Sequence, residues 1–428
     1  MPRRRWLIAC LLGFGVLVNY FDRVNLTVAH AALYATFGIS NVTFGYLSSA
    51  YNLTYAICQL PMGILLDRFG VRRVGLISTL LWSLASFCAA LTTTISGFFA
   101  ARFLLGIGEA PSFPANAKAI GRWFPPKERS FATSIFDSAA KLASAIGVPL
   151  IGVMLLKIGW RWSFAATGAI SLFYFACFSR IYRDPHDELR LTERERRYID
   201  EEELPAAVIN LEPSPQEPPK ASLAYLMTQP KVLGLAIGFG SYNYVFYFLL
   251  TWLPSYLSAA LHIDLLHSFL YTSVPWLFAT FTDLAAGLIS DALIQRGWNA
   301  SRVRKAVLIG GTTFGLGILG TAYAHTAASA LLWISMSIGG LSAASPIGWS
   351  IPSMIVPRDS VGTVGGIVNF SNQLSGIAAP ILTGYIVATT NAYAWAFGVA
   401  TIYLIIGISC YIFLLGRIEQ IPAESQRG

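Results

Sequence analysis

Eight charged side chains interrupt long apolar stretches of this chain. They are Asp22, Arg23, Arg102, Glu109, Lys118, Asp137, Lys141 and Asp283. An ionisable group inside a membrane helix is costly, so it usually marks a path for an ion or a substrate. A guanidinium in a wet cavity can bind a carboxylate through two parallel hydrogen bonds, and a buried carboxylate can carry a proton. The residue types therefore indicate anion binding and proton transfer.

The residues that surround these charges predict the helices that hold them. Hydrophobic residues make up 55% of the 428 residues and charged residues 12%, whereas soluble domains carry roughly 25% charged residues. A segment of about 20 apolar residues satisfies its own backbone in lipid only as a helix. The sequence thus predicts an all-α membrane protein with twelve transmembrane helices. They lie near residues 6–28, 44–66, 74–93, 96–118, 131–156, 162–181, 231–257, 268–293, 304–323, 328–350, 361–388 and 393–416.

The basic residues indicate how the chain is oriented. Most of the 30 Lys and Arg residues fall in the segments on one side of the predicted spans, and the other side keeps only Lys157 and Arg161. Positive charge collects on the cytoplasmic side of membrane proteins, so both termini are predicted to be cytoplasmic. The net charge of +8 then needs no nucleic-acid partner. We expect a multi-pass monomer in a prokaryotic inner (cytoplasmic) membrane, with the lipid bilayer around it.

An internal repeat divides the spans six and six. Matching residues recur at an offset of about 224–231, a sign of duplicated units. The pairs are Asn19-Tyr20 with Asn243-Tyr244, Gly63 and Asp67 with Gly287 and Asp291, and Glu128 and Pro149 with Asp359 and Pro380. We expect an N-terminal six-helix bundle at 1–182, a cytoplasmic linker at 183–230 and a C-terminal six-helix bundle at 231–428. The linker should begin as a solvated amphipathic helix and continue as a Pro-rich flexible segment.

The segment 63–73 reads GILLDRFGVRR and follows the second predicted span. A carboxylate at a helix end, here Asp67, can accept charge-assisted hydrogen bonds from arginines such as Arg68. Its glycines, Gly63 among them, allow a tight turn and a close approach of helices. Such a cluster could lock the cytoplasmic helix ends in one state. Alternatively, its basic residues only set the orientation.

These motifs resemble the major facilitator superfamily. The segment 63–73 is similar to its signature loop, with a degenerate copy that includes Asp291. Three segments resemble the anion:cation symporter family more narrowly: NYFDRVNLTVA at 19–29, RFLLGIGEAPSFP at 102–114 and WFPPKERSFA at 123–132. The resemblance implies two six-helix bundles with a site between them, and transport of sugar acids, other carboxylates, phosphate or acidic amino acids, with protons or sodium.

The resemblance also suggests roles for the charged residues. It assigns proton coupling to Asp22 and Glu109, and the substrate anion to Arg23. Asp22 and Arg23 lie about 24 Å along the first helix, and Arg102 lies at a similar depth in the fourth. Arg102 would then be a partner for either acid in one wet chamber. The alternative is a permanent buried ion-pair network that holds the two helices together.

Neutral polar residues are candidates for binding the uncharged part of a substrate. Asn369 matches a family position associated with substrate hydroxyls, and Asn372 shares its helix face. An amide can both donate to and accept from a hydroxyl. Tyr55, Tyr242 and Asn243 are further candidates for lining a cavity. Packing and hydrogen bonds between helices are the alternative explanation for all five.

Two predicted spans carry charges that relatives more often lack. Asp137 and Lys141 are four residues apart, which favours a local ion pair on one helix face. A second hypothesis is that Lys141 meets Asp283 of the opposite half and acts as a gate. A third is that Lys141 binds a second carboxylate of the substrate.

Taken together, the sequence predicts a proton-coupled symporter of a small organic anion that works by alternating access. Efflux or antiport and a non-transporting membrane sensor are alternatives. We expect no enzyme and no cofactor or metal, because the five His residues are scattered and the five Cys residues show no paired spacing. The coupling ion should be a proton, with sodium as the alternative.

Overall fold

The computed structural model describes residues 4–124, 129–200, 222–356 and 361–422. A few side chains inside helices also lie outside the described part, those of Asp67 and Asp291 among them. Every regular element in the described ranges is helical, with no strand among them. The all-α prediction is thereby confirmed.

The first eight helices run from the N-terminus to the linker. They are α1 (Arg4–Val28), α2 (His30–Phe37), α3 (Asn41–Leu91), α4 (Ile95–Glu109), α5 (Ser112–Trp123), α6 (Arg129–Ile158), α7 (Trp160–Ile181) and α8 (Glu193–Asp200). Helix α3 joins two predicted spans, 44–66 and 74–93. Within it Gly70 has φ 78° and ψ 165°, a conformation that glycine adopts without the steric cost of a side chain, so two helical segments meet there.

Eight further helices follow the linker. They are α9 (Leu223–Thr228), α10 (Pro230–Ala260), α11 (Leu265–Gln295), α12 (Ala300–Gly315), α13 (Ala327–Ser350), α14 (Pro352–Ile355), α15 (Val361–Thr390) and α16 (Ala394–Ser409). A 3-10 segment at Leu316–Tyr323 extends α12, and a π-helical turn at Cys410–Leu415 extends α16. The side chains of Ser222, Asp264, Asn299 and Thr326 each accept a hydrogen bond from a first-turn backbone N–H, which fixes where four of these helices begin.

Nine helices in the described ranges are long and apolar enough to cross a membrane. They correspond to all the predicted spans except 44–66, 96–118 and 361–388, and helices occupy these three places as well. The span at 96–118 is not one helix but two, because α4 ends at Glu109 and α5 starts at Ser112. Pro111 lies at this break and has no N–H to continue the helical hydrogen bonds.

The described contacts divide the chain into two compact units. The first contains Met1–Gly38 and Ala50–Ser214, and the second contains Ile39–Ser49 and Pro215–Gly428. The beginning of α3 thus belongs to the second unit, where the Ser49 hydroxyl donates to the Ile377 carbonyl over 2.8 Å. The division predicted from the sequence, at residues 182 and 231, stays a prediction.

One central helix organises the packing of each unit. In the most apolar stretch of α1, 78% of the residues are buried, and in that of α10, 83% are buried. The corresponding shares for α7 and α11 are 33% and 24%, so these helices leave most of their apolar surface exposed. Because α1 and α10 carry the repeated Asn-Tyr pair, the repeat marks the two helices around which the units are built.

The linker helix α8 contacts the start of α1 through its buried face. The side chain of Glu195 is buried and accepts a hydrogen bond from Arg5 Nη1 at 3.1 Å. Before this helix, Glu188 accepts from Arg4 Nη2 at 2.8 Å. Two acidic residues of the linker therefore hold the start of α1. The Pro-rich part at 201–221 lies outside the described residues.

Candidate functional site

Arg23 is the centre of a buried polar cluster in the first unit. Its Nη2 donates to the amide oxygen of Asn19 at 2.9 Å, and its Nε donates to Glu109 Oε2 at 3.3 Å. Arg23 is 6% exposed and Glu109 is fully buried. Asn19 lies one helical turn before Arg23 on α1, so it fixes the direction in which the guanidinium points. In this ion pair, another anion could replace the Glu109 carboxylate at Arg23.

Three tyrosine rings surround the same guanidinium. The Cζ atom of Arg23 lies 4.4 Å from the ring centroid of Tyr20, 4.6 Å from that of Tyr51 and 5.4 Å from that of Tyr55. The face of an aromatic ring attracts a cation at these distances. Tyr55, a predicted site residue, is thus brought to Arg23. Tyr20 and Tyr51 were not predicted as site residues, although Tyr51 lies one turn from Tyr55 on the same helix face.

Asp22 points away from this cluster, although it is the neighbour of Arg23 in sequence. Its Oδ1 accepts a hydrogen bond from the Ser86 hydroxyl of α3 at 2.6 Å, and its Oδ2 accepts one from the Ser171 hydroxyl of α7 at 3.1 Å. Asp22 is 1% exposed. The two acids predicted to act together therefore lie in different surroundings, one facing a cation and one facing two hydroxyls.

Arg102 lies between these two groups. Its Nη1 donates to the backbone carbonyl of Asp22 at 3.3 Å, and its Cζ lies 5.4 Å from the Tyr51 ring. Its Nε atom is buried and makes no hydrogen bond to any described residue. The sequence predicted a carboxylate partner for Arg102. In the described residues, however, Glu109 pairs with Arg23, because the amide of Asn19 already holds that guanidinium in place.

Glycines and a helix break position Glu109. A methyl group at Gly106 would collide with Thr54 and with the Tyr51 carbonyl, and one at Gly108 would lie 2.8 Å from the Trp82 backbone nitrogen. The end of α4 therefore packs directly on the backbone of α3. Because Glu109 is the last residue of α4, the break that follows frees its side chain to reach Arg23. Close packing of α4 on α3 and a break after Glu109 are therefore both present.

The second unit holds neutral polar groups on α10 and α15. Asn372 is 2% exposed, and its Oδ1 makes no hydrogen bond to any described residue, as is also true of Gln373 Oε1. Asn369 is half-buried on the same helix. Asn243 donates to the Phe239 carbonyl of its own helix at 3.1 Å, and the ring of Tyr242 lies 5.3 Å from that of Phe239. The α15 amides are therefore the more available group for a ligand.

Asp137, Lys141 and Asp283 are the charged residues that relatives more often lack. Lys141 is buried and donates to Asp137 Oδ2 at 2.7 Å, so the ion pair on one face of α6 is present. Asp283 is 3% exposed on α11 of the second unit. The hypotheses that Lys141 meets Asp283, or that it binds a second substrate carboxylate, stay predictions.

The predicted gating loop is described only in part. Arg68 is exposed, and its Cζ lies 5.3 Å from the ring of Phe69. A methyl group at Gly63 would meet no described atom within 4 Å, so the close helix approach predicted there is not seen. The side chains of Asp67 and Asp291 lie outside the described part of the chain. Their gating role stays a prediction.

Ser86 and Ser171 are site residues that could not be found from the sequence. Small hydroxyl residues are frequent where membrane helices pack closely, so neither stands out among the serines of the predicted spans. Across the described residues, no group of three His, Cys, Asp or Glu side chains could hold a metal ion.

Sequence comparison finds relatives that align over nearly their full length. The chain is 37% identical to an uncharacterized transporter of Bacillus subtilis, over 97% of this chain and 95% of that protein. It is 30% identical to a D-galactonate transporter of Escherichia coli, over 98% and 97% of the two chains. A probable galactarate/D-glucarate transporter of the same species is 30% identical over 98% and 96%.

Comparison with solved structures identifies the fold. A bacterial homolog of the human lysosomal transporter Spinster superimposes with a TM-score of 0.74 at 16% identity, covering 97% of both chains. A D-xylose-proton symporter superimposes with a TM-score of 0.72 at 17% identity, covering 97% of this chain and 98% of that one. Residues 12–380 match the sequence profile of the Major Facilitator Superfamily. The predicted family and fold class are confirmed, and the chain belongs to the Major Facilitator Superfamily of membrane transporters.

Proposed function

We propose that this protein is a secondary active transporter that moves a small organic anion, a sugar acid or a related carboxylate, together with protons by alternating access. The observation that carries the proposal is the Arg23 guanidinium, which is buried among three tyrosines and shared between the Asn19 amide and the Glu109 carboxylate. The names of the relatives, transporters of galactonate and of galactarate or glucarate, favour this substrate class.

The first step we propose is an exchange of anions at Arg23. A planar guanidinium binds a carboxylate through two parallel hydrogen bonds, which is a better geometry than the single 3.3 Å contact that Glu109 makes. An incoming substrate carboxylate would take the place of Glu109. Since a buried carboxylate without a cation is costly, Glu109 would then accept a proton on the oxygen that left Arg23. Binding of the anion and uptake of the proton would thereby be linked.

Asp22 is the second proton carrier that we propose. Two hydroxyls donate to its carboxylate, which favours the ionised form. A hydroxyl can also turn and accept, so Ser86 or Ser171 could bond to the protonated acid without any movement of the helices. Arg102, which holds the backbone of Asp22 and lies beside Tyr51, would respond to the charge of both acids.

The neutral amides of α15 are suited to the remainder of a sugar acid. A polyol presents hydroxyls that both donate and accept, and an amide can pair with either. Asn372 and Asn369 are the residues we assign to this task, with Tyr242 and Asn243 of α10 as weaker candidates. The protein would work as a monomer in the inner membrane of a prokaryote, with both termini in the cytoplasm, without nucleic acid and with the proton as its only coupling factor.

Transport by purified protein in liposomes tests the proposal. Radiolabelled hexuronates, aldonates, aldarates and aromatic acids would be offered under an imposed proton gradient, an imposed sodium gradient or neither, while an internal dye records pH. We expect accumulation of an aldonate or aldarate with the proton gradient, together with internal acidification. Accumulation that follows sodium alone, or uptake of aromatic acids in preference to sugar acids, would contradict the proposal.

A further inference from the structure

A small cavity lies inside the first unit beside the break between α4 and α5. Its volume is about 20 Å³, and a cavity needs roughly 10–15 Å³ to hold one water. Most of the exposed wall is apolar, but six of the lining residues carry hydrogen-bonding groups: Ser78, Thr79, Trp82, Ser112, Asn116 and Tyr174. The site is therefore large enough for one water and offers it hydrogen-bonding partners.

Two residues of the wall have a buried polar atom with no partner in the described protein. The Trp82 Nε1 atom belongs to a residue that is 2% exposed, and it donates to no described acceptor. The Ser112 hydroxyl is likewise without a described partner. A buried polar group without a hydrogen bond is costly, and a water within reach of it removes that cost.

Four helices place this cavity about one turn beyond the two acids. On α3, Trp82 precedes Ser86, the partner of Asp22, by four residues. On α7, Tyr174 follows Ser171, the other partner of Asp22, by three. Gly15 of α1 precedes Asn19 by four residues, and Pro111 follows Glu109 by two. On each helix, the cavity residue lies closer than the site residue to the end of the unit where α1 begins. That end is predicted to face the cytoplasm.

We propose that this cavity is a water site through which protons pass between the buried acids and the end of the unit where α1 begins. The inference rests on the proposed proton-coupled function and adds the route. The groups that face Glu109 are Asp22, Arg23 and Arg102, together with Tyr51 of α3. Among the described residues that line the cavity there is no Lys, Arg or His, so they present no fixed positive charge to a passing proton.

The proton transfer leaves every charge with a partner. The O–H bond of protonated Glu109 breaks, and the proton passes to the cavity water, which becomes hydronium. The electron pair stays on the carboxylate, which regains its contact with Arg23 once the substrate has left that guanidinium. The hydronium gives its proton to solvent at the predicted cytoplasmic end. No oxidant, reductant or further reactant takes part.

Ala115 provides a way to fill the cavity. It lines the cavity from α5, is 7% exposed, and gains two carbons on Ala115→Val. Ala139 of α6 is also 7% exposed but does not line the cavity, so Ala139→Val is the matched control. Trp82→Phe is a second variant, because it removes the unpartnered N–H while a ring remains to stack on Tyr174.

The first measurement detects the water itself. X-ray-generated hydroxyl radicals label a buried tryptophan only when water lies beside it, and labelled residues are identified by mass spectrometry of the full-length protein. We expect labelling of Trp82 that Ala115→Val removes and Ala139→Val keeps. Trp123 is fully buried and its Nε1 donates to the Arg183 carbonyl, so it should stay unlabelled in all three proteins. Absence of label at Trp82 in the wild-type protein would overturn the proposal, whether or not the protein transports sugar acids.

The second measurement detects the proton route. In liposomes, Ala115→Val and Trp82→Phe should slow proton-driven uptake of D-galactonate about tenfold or more, while exchange of internal for external D-galactonate stays near the wild-type rate. Equal slowing of uptake and exchange, or no slowing of either, would overturn the route. Wild-type protein that exchanges D-galactonate without moving protons would instead contradict the proposed function, and the labelling result would still decide whether the cavity holds water.

Discussion

Helices α1 and α10 occupy the same place in their units but hold different chemistry. Each is the most buried helix of its unit and carries the repeated Asn-Tyr pair. Asn19 accepts a hydrogen bond from Arg23 one turn on, whereas Asn243 donates to its own backbone at Phe239. The residue one turn after Asn243 is Tyr247, so no cation follows it. The repeat has therefore kept the packing and changed the chemistry.

The buried charges of the described residues show the same division. Besides the Arg5–Glu195 pair at the start of α1, the first unit buries Asp22, Arg23, Arg102, Glu109 and Lys141 in its helices, whereas Asp283 is the buried charged residue of the second. Within the second unit, the buried polar residues of α15 are Asn372, Gln373, Ser375 and Thr383, and the first two carry amides. We infer that the first unit binds charge and carries protons, and that the second recognises neutral groups of the substrate.

The largest effect should come from Arg23. Arg23→Ala removes the substrate's cation and leaves Glu109 buried without its partner. We expect uptake and exchange to fall at least about 100-fold, because such a loss costs about 3–5 kcal/mol and about 1.4 kcal/mol is tenfold. Arg23→Lys, which keeps the charge but not the planar fork, should retain more exchange than Arg23→Ala. If Arg23→Ala and Arg23→Lys had equal and small effects, the proposal that the first unit binds the substrate anion would be wrong.

Glu109→Gln should separate coupling from binding. Because glutamine cannot exchange a proton, accumulation of D-galactonate under a proton gradient should be abolished. Exchange should stay within about threefold of the wild-type rate, since Arg23 still meets the substrate. Both activities would be measured with the same liposome preparation. Loss of both to the same degree would place Glu109 in binding or folding and not in coupling.

Asn372→Leu tests the second unit. If the amide reads a substrate hydroxyl, the KM for D-galactonate should rise about three- to tenfold, the loss of one neutral hydrogen bond. The melting temperature should stay the same or rise, because the change removes a buried polar atom without a described partner. The control is Ser371→Ala, which breaks a 2.9 Å bond to the Ala236 carbonyl and should lower the melting temperature without changing KM. A raised KM for Ser371→Ala together with a lowered melting temperature and an unchanged KM for Asn372→Leu would contradict the division between the units.

The smallest effect should appear at the helix ends. Burial alone would raise the pKa of Glu188, but the hydrogen bonds from Arg4 and from the Arg190 backbone hold it below its usual value. A lowered pKa means that the contact stabilises the fold above the usual glutamate pKa of about 4.3 and that this contribution is lost as the pH falls below it. Glu188→Gln should lower the melting temperature at pH 7 by about 2 °C and reduce its decrease in acid.

The second unit offers the control for that measurement. Lys231 and Glu419 form an ion pair at 3.2 Å in which Glu419 is 63% exposed, and exposed pairs stabilise proteins little. Glu419→Gln should therefore leave the melting temperature unchanged at both pH values. A larger effect for Glu419 than for Glu188 would show that burial does not decide which of the two pairs stabilises its unit.

Particular residues show what the sequence could and could not predict. Arg23 and Glu109 could be found because a charge in an apolar helix is rare, but their pairing could not. That pairing depends on the amide of Asn19, which looks like any polar residue of a helix. The hydroxyls that hold Asp22 gave no signal either, since their contacts join residues 64 and 149 positions apart. The kink within α3 and the break between α4 and α5 depend on single positions, Gly70 and Pro111.

The exchange of anions at Arg23 can be measured directly as a count of protons. Binding of D-galactonate to the purified protein at pH 7 would be followed by calorimetry in buffers that differ in ionisation enthalpy, which gives the number of protons taken up. The wild-type protein should take up protons on binding, and Glu109→Gln should take up about one fewer. Proton uptake that is the same in both proteins would contradict the claim that the substrate displaces Glu109 from Arg23.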